Sequence, residues 1–133
     1  MPNLLIAIKN AIIRETVSMF LRDVGFTITT AKDGAEAIYQ IKTFLETTMQ
    51  FDLLVIDFNL DALHGFDLCD ECSRLNIETP ILAVASENDQ KLITHLQEKG
   101  FDEILIIPFG LNEIYAKILG LLTTNRVLNK HHF

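Results

Sequence analysis

Tryptophan is missing from this chain, and its 133 residues include only two cysteines, three prolines and two tyrosines. Two cysteines cannot staple a disulfide scaffold, so the fold has to rest on a packed core. Scarce proline, with six glycines, excludes collagen-like and low-complexity organisation. No apolar run reaches the length of a membrane span, and MPNLLIAIKN offers neither a charged leader region nor a cleavage site. Neither a membrane anchor nor a secretory signal is therefore expected. Basic residues are in deficit: eleven Lys and Arg against eighteen Asp and Glu give a net charge of −7 and a pI near 4.9. They form no cluster that could track a phosphate backbone or bind anionic lipid, which argues against direct nucleic-acid contact and against a membrane-surface role. The expected compartment is the cytoplasm.

Apolar residues, by contrast, are plentiful. A 49% hydrophobic content and a mean hydropathy of +0.26 describe one well-buried domain rather than a disordered chain. That domain is expected over residues 1–123. The polar residues 124–133 read as a frayed tail or the beginning of a linker, in which His131 and His132 are either natural or the remnant of a tag.

Short apolar runs alternate with amphipathic segments five times, the pattern of β-α units building a parallel sheet. Strands are expected at Leu4–Ile8, Phe26–Thr30, Asp52–Ile56, Ile81–Ala85 and Ile104–Ile107. Helices are expected over Ala11–Val24, from Gly34 to Leu45, over Gly65–Leu75, over Asn88–Lys99 and over Leu111–Leu122. In the first helix Ile12, Ile13, Val17, Phe20 and Leu21 form the packing stripe, closed by Gly25. Asp33 is the N-cap of the second, with Glu36 completing a capping-box-like pattern. The third strand shows no polar alternation, as a central strand covered on both faces requires. Tyr39 and Tyr115 read as helix packing residues. Right-handed crossovers lay these strands in a doubly wound three-layer (βα)5 sandwich. With strand order 2-1-3-4-5, ligands bind at the carboxyl edge, where the order reverses between strands one and three. The residues presented there are Ile8, Lys9, Asp57, Ala85, Ser86 and Ile107.

Asp57 ends the run Leu53-Leu54-Val55-Ile56, and a carboxylate at the end of a buried strand is where open α/β sheets place their chemistry. Lys9, leaving the neighbouring strand, is expected to bring its ammonium against Asp57; the alternative is a solvated Lys9 that never touches it. Ala85 is expected to face the pocket. Ser86 would do so only if strand four slipped by one residue, which turns every side chain to the other face. Asp61 and His64 follow Asp57 at loop spacing; His64 is expected as an exposed loop residue, with a three-ligand metal site as the alternative. Cys69 and Cys72 form a C-x-x-C that could be a redox pair or half a metal site. At helical spacing they share a face with Leu68 and Leu75, and no second pair or nearby His completes a ligand set, so they are read as core.

The segments DFNLDALHGFDL, TTAKDGAEAI, RETVSMFLRDVGF and IIPFG, in this order and spacing, resemble a response-regulator receiver domain over residues 4 to about 122. The resemblance implies the flavodoxin-like fold and makes Asp57 the equivalent of the phosphoacceptor, with Leu60, Gly65, Leu68 and the Pro108-Phe109 pair at matching positions. It also implies what has changed. The family's Mg²⁺-binding acidic pair aligns with Ile8 and Lys9, its hydroxyl with Ala85, its lysine with Ile107 and its aromatic switch with Ile104. Mg²⁺ binding is accordingly expected to be lost, and the chain reads as a degenerate, phosphorylation-independent receiver acting through protein contacts. The implied partners are signalling proteins such as a histidine kinase or an output domain, with a homodimer through the fourth helix, fifth strand and fifth helix as a further expectation. A phosphoacceptor that works at Asp57 with unorthodox support is the alternative. A flavin protein of the same topology suits the sequence less, because KNAII has no glycine or Ser/Thr cluster to cradle a phosphate. No nucleophile and base stand together for a hydrolase, so the chain is not expected to be an enzyme.

Overall fold

The computed structural model describes residues 1–47, 49–101 and 103–128. Five parallel strands, β1 (Asn3–Ala7), β2 (Thr27–Ala31), β3 (Leu53–Asp57), β4 (Ile81–Ser86) and β5 (Ile104–Ile107), pair in the order β2-β1-β3-β4-β5. Five helices connect or follow them: α1 (Ala11–Asp23), α2 (Gly34–Leu45), α3 (Gly65–Arg74), α4 (Gln90–Glu98) and α5 (Leu111–Leu128). The doubly wound three-layer arrangement expected from the alternation of elements, and the flavodoxin-like fold implied by the resemblance, are the ones found.

Strand side chains alternate between two cores. Leu5, Ala7, Leu54, Ile56, Ala83 and Ala85 face α2, α3 and α4, together with Leu68, Cys69 and Leu96. Leu4, Ile6, Val55, Leu82, Val84 and Leu105 face α1 and α5, together with Val17, Leu21 and Ile114. All five residues of β3 are buried, which is why its sequence carries no polar alternation. None of the described helices is long and apolar enough to cross a membrane.

The helix starts follow their capping chemistry. Asp33 accepts a hydrogen bond from the Glu36 N–H at 2.8 Å, and Glu36 reaches back to accept from the Lys32 N–H at 2.9 Å. Asn10 caps α1 through the Ile13 N–H, and Asp89 caps α4 through the Leu92 N–H, so α4 begins two residues later than its pattern suggests. β1, β2 and β3 are each displaced by one residue from their expected limits. α5 continues past Leu122 to Leu128 because TTNRVL, although polar, contains no glycine or proline to stop it. The expected boundary at 123/124 therefore falls within a helix, and residues 129–133 of the expected tail lie outside the described residues.

Two packing expectations are corrected. Ile12 is 78% exposed and Tyr39 66% exposed. The buried stripe of α1 runs Ile13, Val17, Leu21 and turns toward Ser18 rather than Ile12. Tyr39 sits just beyond the Ala37–Ile38–Ile41 stripe of α2. Tyr115 does pack, edge-on to Phe20 and Phe26.

Ser18 is fully buried and its hydroxyl has no hydrogen-bond partner. A buried, unsatisfied hydroxyl costs its desolvation, and alanine is the better helix former. Ser18→Ala is expected to raise stability by about 1 kcal/mol, measured as an upward shift of the urea midpoint with an unchanged slope.

Candidate functional site

The carboxyl ends of β1, β3, β4 and β5 converge on one edge, and Asp57 is the last residue of β3 there. Its side chain is only 5% exposed, so both carboxylate oxygens need donors. Backbone amides supply them. Oδ1 accepts from the Asn59 N–H at 3.0 Å, and Oδ2 accepts from the Lys9 N–H at 3.1 Å.

Lys9 thus reaches Asp57 through its main chain. Its ammonium lies 3.4 Å from Asp61 Oδ1 instead, on the exposed side of the loop. The expected Lys9–Asp57 ion pair is corrected accordingly. With the Lys9 N–H already turned to Asp57, the side chain is directed outward, where a half-exposed ammonium keeps its water. Ile8, which precedes it, is fully buried in the core beneath α1 and α5.

Arg14, which the sequence motifs did not single out, completes this corner. Its Nη1 donates to the Ile8 carbonyl at 2.8 Å and to the Lys9 carbonyl at 3.3 Å, and its side chain is 14% exposed. A signal was available: a cation in the first turns of a helix opposes the macrodipole, so it needs a compensating acceptor. The two carbonyls are that acceptor, and holding them aims the Lys9 N–H at Asp57.

On the other side of Asp57 the register pairs it with Val84, and partners in a parallel sheet share a face. Ser86, two residues beyond Val84, is therefore on the face of Asp57, and Ala85 is not. Ala85 is fully buried in the opposite core with Leu96 and Phe101, which corrects the expectation that it faces the pocket. The Ser86 hydroxyl accepts from the Asn88 N–H at 3.2 Å. Ile107 is paired with Ser86 and is partly buried against the α1 and α5 core. Ile104 packs against the other core.

The loop after Asp57 is held in place by its backbone. The Asp61 carbonyl accepts from the Gly34 N–H at 2.9 Å and from the Leu63 N–H at 2.7 Å, and Ala62 takes a φ of 68°. A Cβ at Gly34 would stand 1.9 Å from the Leu63 carbonyl oxygen, and one at Gly65 would stand 2.4 Å from the Phe58 ring. Gly34 thus does more than open α2: it lets α2 approach this loop. His64 is exposed, as expected, and makes no side-chain capping bond. Asp57, Asp61 and His64 do not form a metal-ligating group, nor does any other set of three His, Cys, Asp or Glu among the described residues. Cys69 and Cys72 are free and buried. Burial raises both thiols from their ordinary 9.0, that of Cys72 to about 12, with each neighbouring acidic group adding to the effect.

Lys9→Ala, which leaves the main-chain donor to Asp57 intact, is expected to cost at most about 1 kcal/mol. Arg14→Ala, which strips a partly buried donor from two carbonyls, is expected to cost about 1–3 kcal/mol; urea titration of both variants measures the order. Thiols whose folded pKa is raised favour the fold below pH 9 and lose that contribution as pH rises from 9 toward 12. At pH 8 both should resist a thiol reagent in native protein and react at once in denaturant, and equal rates in the two conditions would contradict their placement.

The sequence profile of the response regulator receiver domain matches residues 4–119. The chain is 31% identical over 123 residues to the alkaline phosphatase synthesis transcriptional regulatory protein SphR of Synechococcus elongatus, covering 90% of this chain and 48% of that one. It is 26% identical over 121 residues to the transcriptional regulatory protein PrrA of Mycobacterium tuberculosis, covering 91% and 50% respectively. It therefore spans about half the length of these curated relatives. Among solved structures, a Francisella response regulator receiver domain superposes with a TM-score of 0.79 at 25% identity, covering 94% of this chain and 99% of that one. The chain belongs to the response regulator receiver domain family of two-component signalling.

Proposed function

We propose that this receiver signals by protein contact, without phosphoryl transfer to Asp57. The observation that carries the reading is the end of β1, where the family resemblance calls for two carboxylates and the chain has a buried Ile8 and an outward-turned Lys9. A hard divalent cation such as Mg²⁺ takes oxygen ligands, commonly one or two carboxylates besides water. Of the carboxylates described at this corner, Asp61 is paired with the Lys9 ammonium, and each oxygen of Asp57 already accepts a backbone N–H. The residues do not fit the ion. Phosphoryl transfer also needs donors placed around the moving group, and Ile107, at the position where the resemblance calls for a lysine, has no side-chain donor to offer.

The partners this reading calls for are signalling proteins, a histidine kinase or an output domain among them, met in the cytoplasm. No catalytic role is assigned to the domain itself. A self-contact through α4, β5 and α5 fits the same reading, with Leu119 of α5 41% exposed. The named relatives are transcriptional regulators about twice as long, so a nucleic-acid partner would be reached through another domain.

One observation favours a second reading, a phosphoacceptor with unorthodox support: Asp57 is retained at the strand end, and Ser86 shares its sheet face. Beryllofluoride or a small phosphodonor with Mg²⁺ separates the two. The wild-type chain is expected to show no mass increase and no Mg²⁺-dependent spectral change. A variant carrying Ile8→Asp, Lys9→Asp and Ile107→Lys is expected to gain a response at least about 100-fold faster, since one restored donor alone is worth about that factor. A wild-type response that disappears in Asp57→Ala would establish the second reading instead.

A further inference from the structure

We propose that the outer edge of β5 pairs antiparallel with β5 of a second copy of this chain, joining the two sheets into one. The proposal rests on the reading of the domain as a contact module and names the main-chain groups through which a copy is met.

The phase of the β5 hydrogen bonds fixes which groups are free. The Ile107 carbonyl accepts from the Glu87 N–H at 3.0 Å, so Ile107 turns its main chain toward β4. Alternate residues of a strand bond to the same side. Leu105 therefore does likewise, and Ile104 and Ile106 direct their N–H and C=O groups outward. β5 pairs with β4 alone, and no described residue bonds to these outward groups. The other end of the sheet is finished differently. There the Thr27 N–H donates inward to the Pro2 carbonyl, and the outward Ile28 carbonyl accepts from Arg22 Nη2 at 3.3 Å.

Edge strands are commonly protected by Lys, Pro or a bulge. β5 is Ile104-Leu105-Ile106-Ile107 and has none of these, its register with β4 being regular. Ile106 is half-buried and belongs to neither core. Glu103, which precedes the strand, is held by Lys117 of α5 at 2.9 Å. An uncharged row of main-chain donors and acceptors selects another extended strand, and the Ile and Leu side chains beside it select an apolar one.

A second copy supplies such a strand with no group left over. A two-fold axis at Leu105 brings Ile104 of each copy opposite Ile106 of the other, and each of these pairs exchanges both N–H···O=C bonds. An axis at Ile104 or Ile106 would leave half of the outward groups unpaired. The net charge of −7 lies outside this uncharged strand, so it opposes the approach of two copies and not the contact itself. Salt screens the repulsion and spares the contact.

Analytical ultracentrifugation of the intact chain, over a concentration series and without phosphodonor, is expected to show a monomer–dimer equilibrium that tightens with added salt. Amide exchange at Ile104 and Ile106 is expected to slow as the dimer forms, with Leu105 and Ile107 protected at every concentration. Ile106→Lys places a charge on the edge, and Ile106→Pro removes an N–H that the β4 ladder does not use. Each is expected to weaken dimerisation at least about tenfold, with protection at Leu105 and Ile107 reporting that β5 still pairs with β4. A chain monomeric throughout the series, a dimer whose Ile104 and Ile106 amides exchange as in the monomer, or unchanged dimerisation in Ile106→Lys would overturn the proposal. Beryllofluoride response is read at Asp57 and dimerisation at β5 without any phosphodonor, so either result can fail without the other.

Discussion

A carboxylate with 5% of its surface exposed cannot be left without donors, and the way Asp57 is satisfied sets the geometry of the whole carboxyl edge. Desolvating an ionised carboxylate costs several kcal/mol unless hydrogen bonds replace the lost water. The Lys9 and Asn59 amides replace it from the two flanking loops. For Lys9 to do so, the chain leaving β1 must turn at once, and Arg14 holds that turn by its two carbonyls. The first helix, the first loop and the end of β3 are therefore one hydrogen-bonded unit around a buried anion.

This arrangement decides which charges matter. The Lys9–Asp61 pair joins two loops, but its members are 49% and 72% exposed, and such pairs contribute about 0–1 kcal/mol. The main-chain bonds to Asp57 and the tie from Gly34 to the Asp61 carbonyl are shielded from water and from salt to a greater degree. The loop after β3 is consequently positioned by backbone geometry and by the close approach that Gly34 and Gly65 permit, with the ion pair as a minor addition.

Much of this is legible in the residues. The five β-α alternations, the Asp33 cap, the fully buried third strand and the burial of the cysteine pair all follow from local patterns that packing reinforces. What the residues do not reveal is orientation at the ends of elements. Lys9 follows the last paired residue of β1, where strand alternation no longer dictates direction, so its ammonium goes to Asp61. Whether Ala85 or Ser86 shares the face of Asp57 depends on register across β3 and β4, a tertiary quantity that a strand's own sequence does not contain. Ile12 and Tyr39 are misplaced by a fraction of a helical turn, because apolar patterning locates a stripe only to within about one residue.

The face of the sheet toward α4 bears on how such a domain could report on its own state. Ala85 and Ile104, at the positions where the resemblance places a hydroxyl and an aromatic switch, offer no side-chain hydrogen bond and pack as plain hydrocarbon. Beside them Phe58, the residue after Asp57, meets Phe66 and Phe101 edge-on, and Phe66 lies tilted against the His95 ring of α4. Close-packed apolar contacts of this kind transmit shape and do not sense charge. A polar switch that follows a new anion needs a donor free to move toward it, and this face has none at those two positions. On the proposed reading that loss and the altered end of β1 are a single change. If, on that reading, no cation site admits a phosphoryl group, a hydroxyl and an aromatic switch to read it would stabilise nothing, and hydrocarbon in their place would favour one packed arrangement for a partner to recognise.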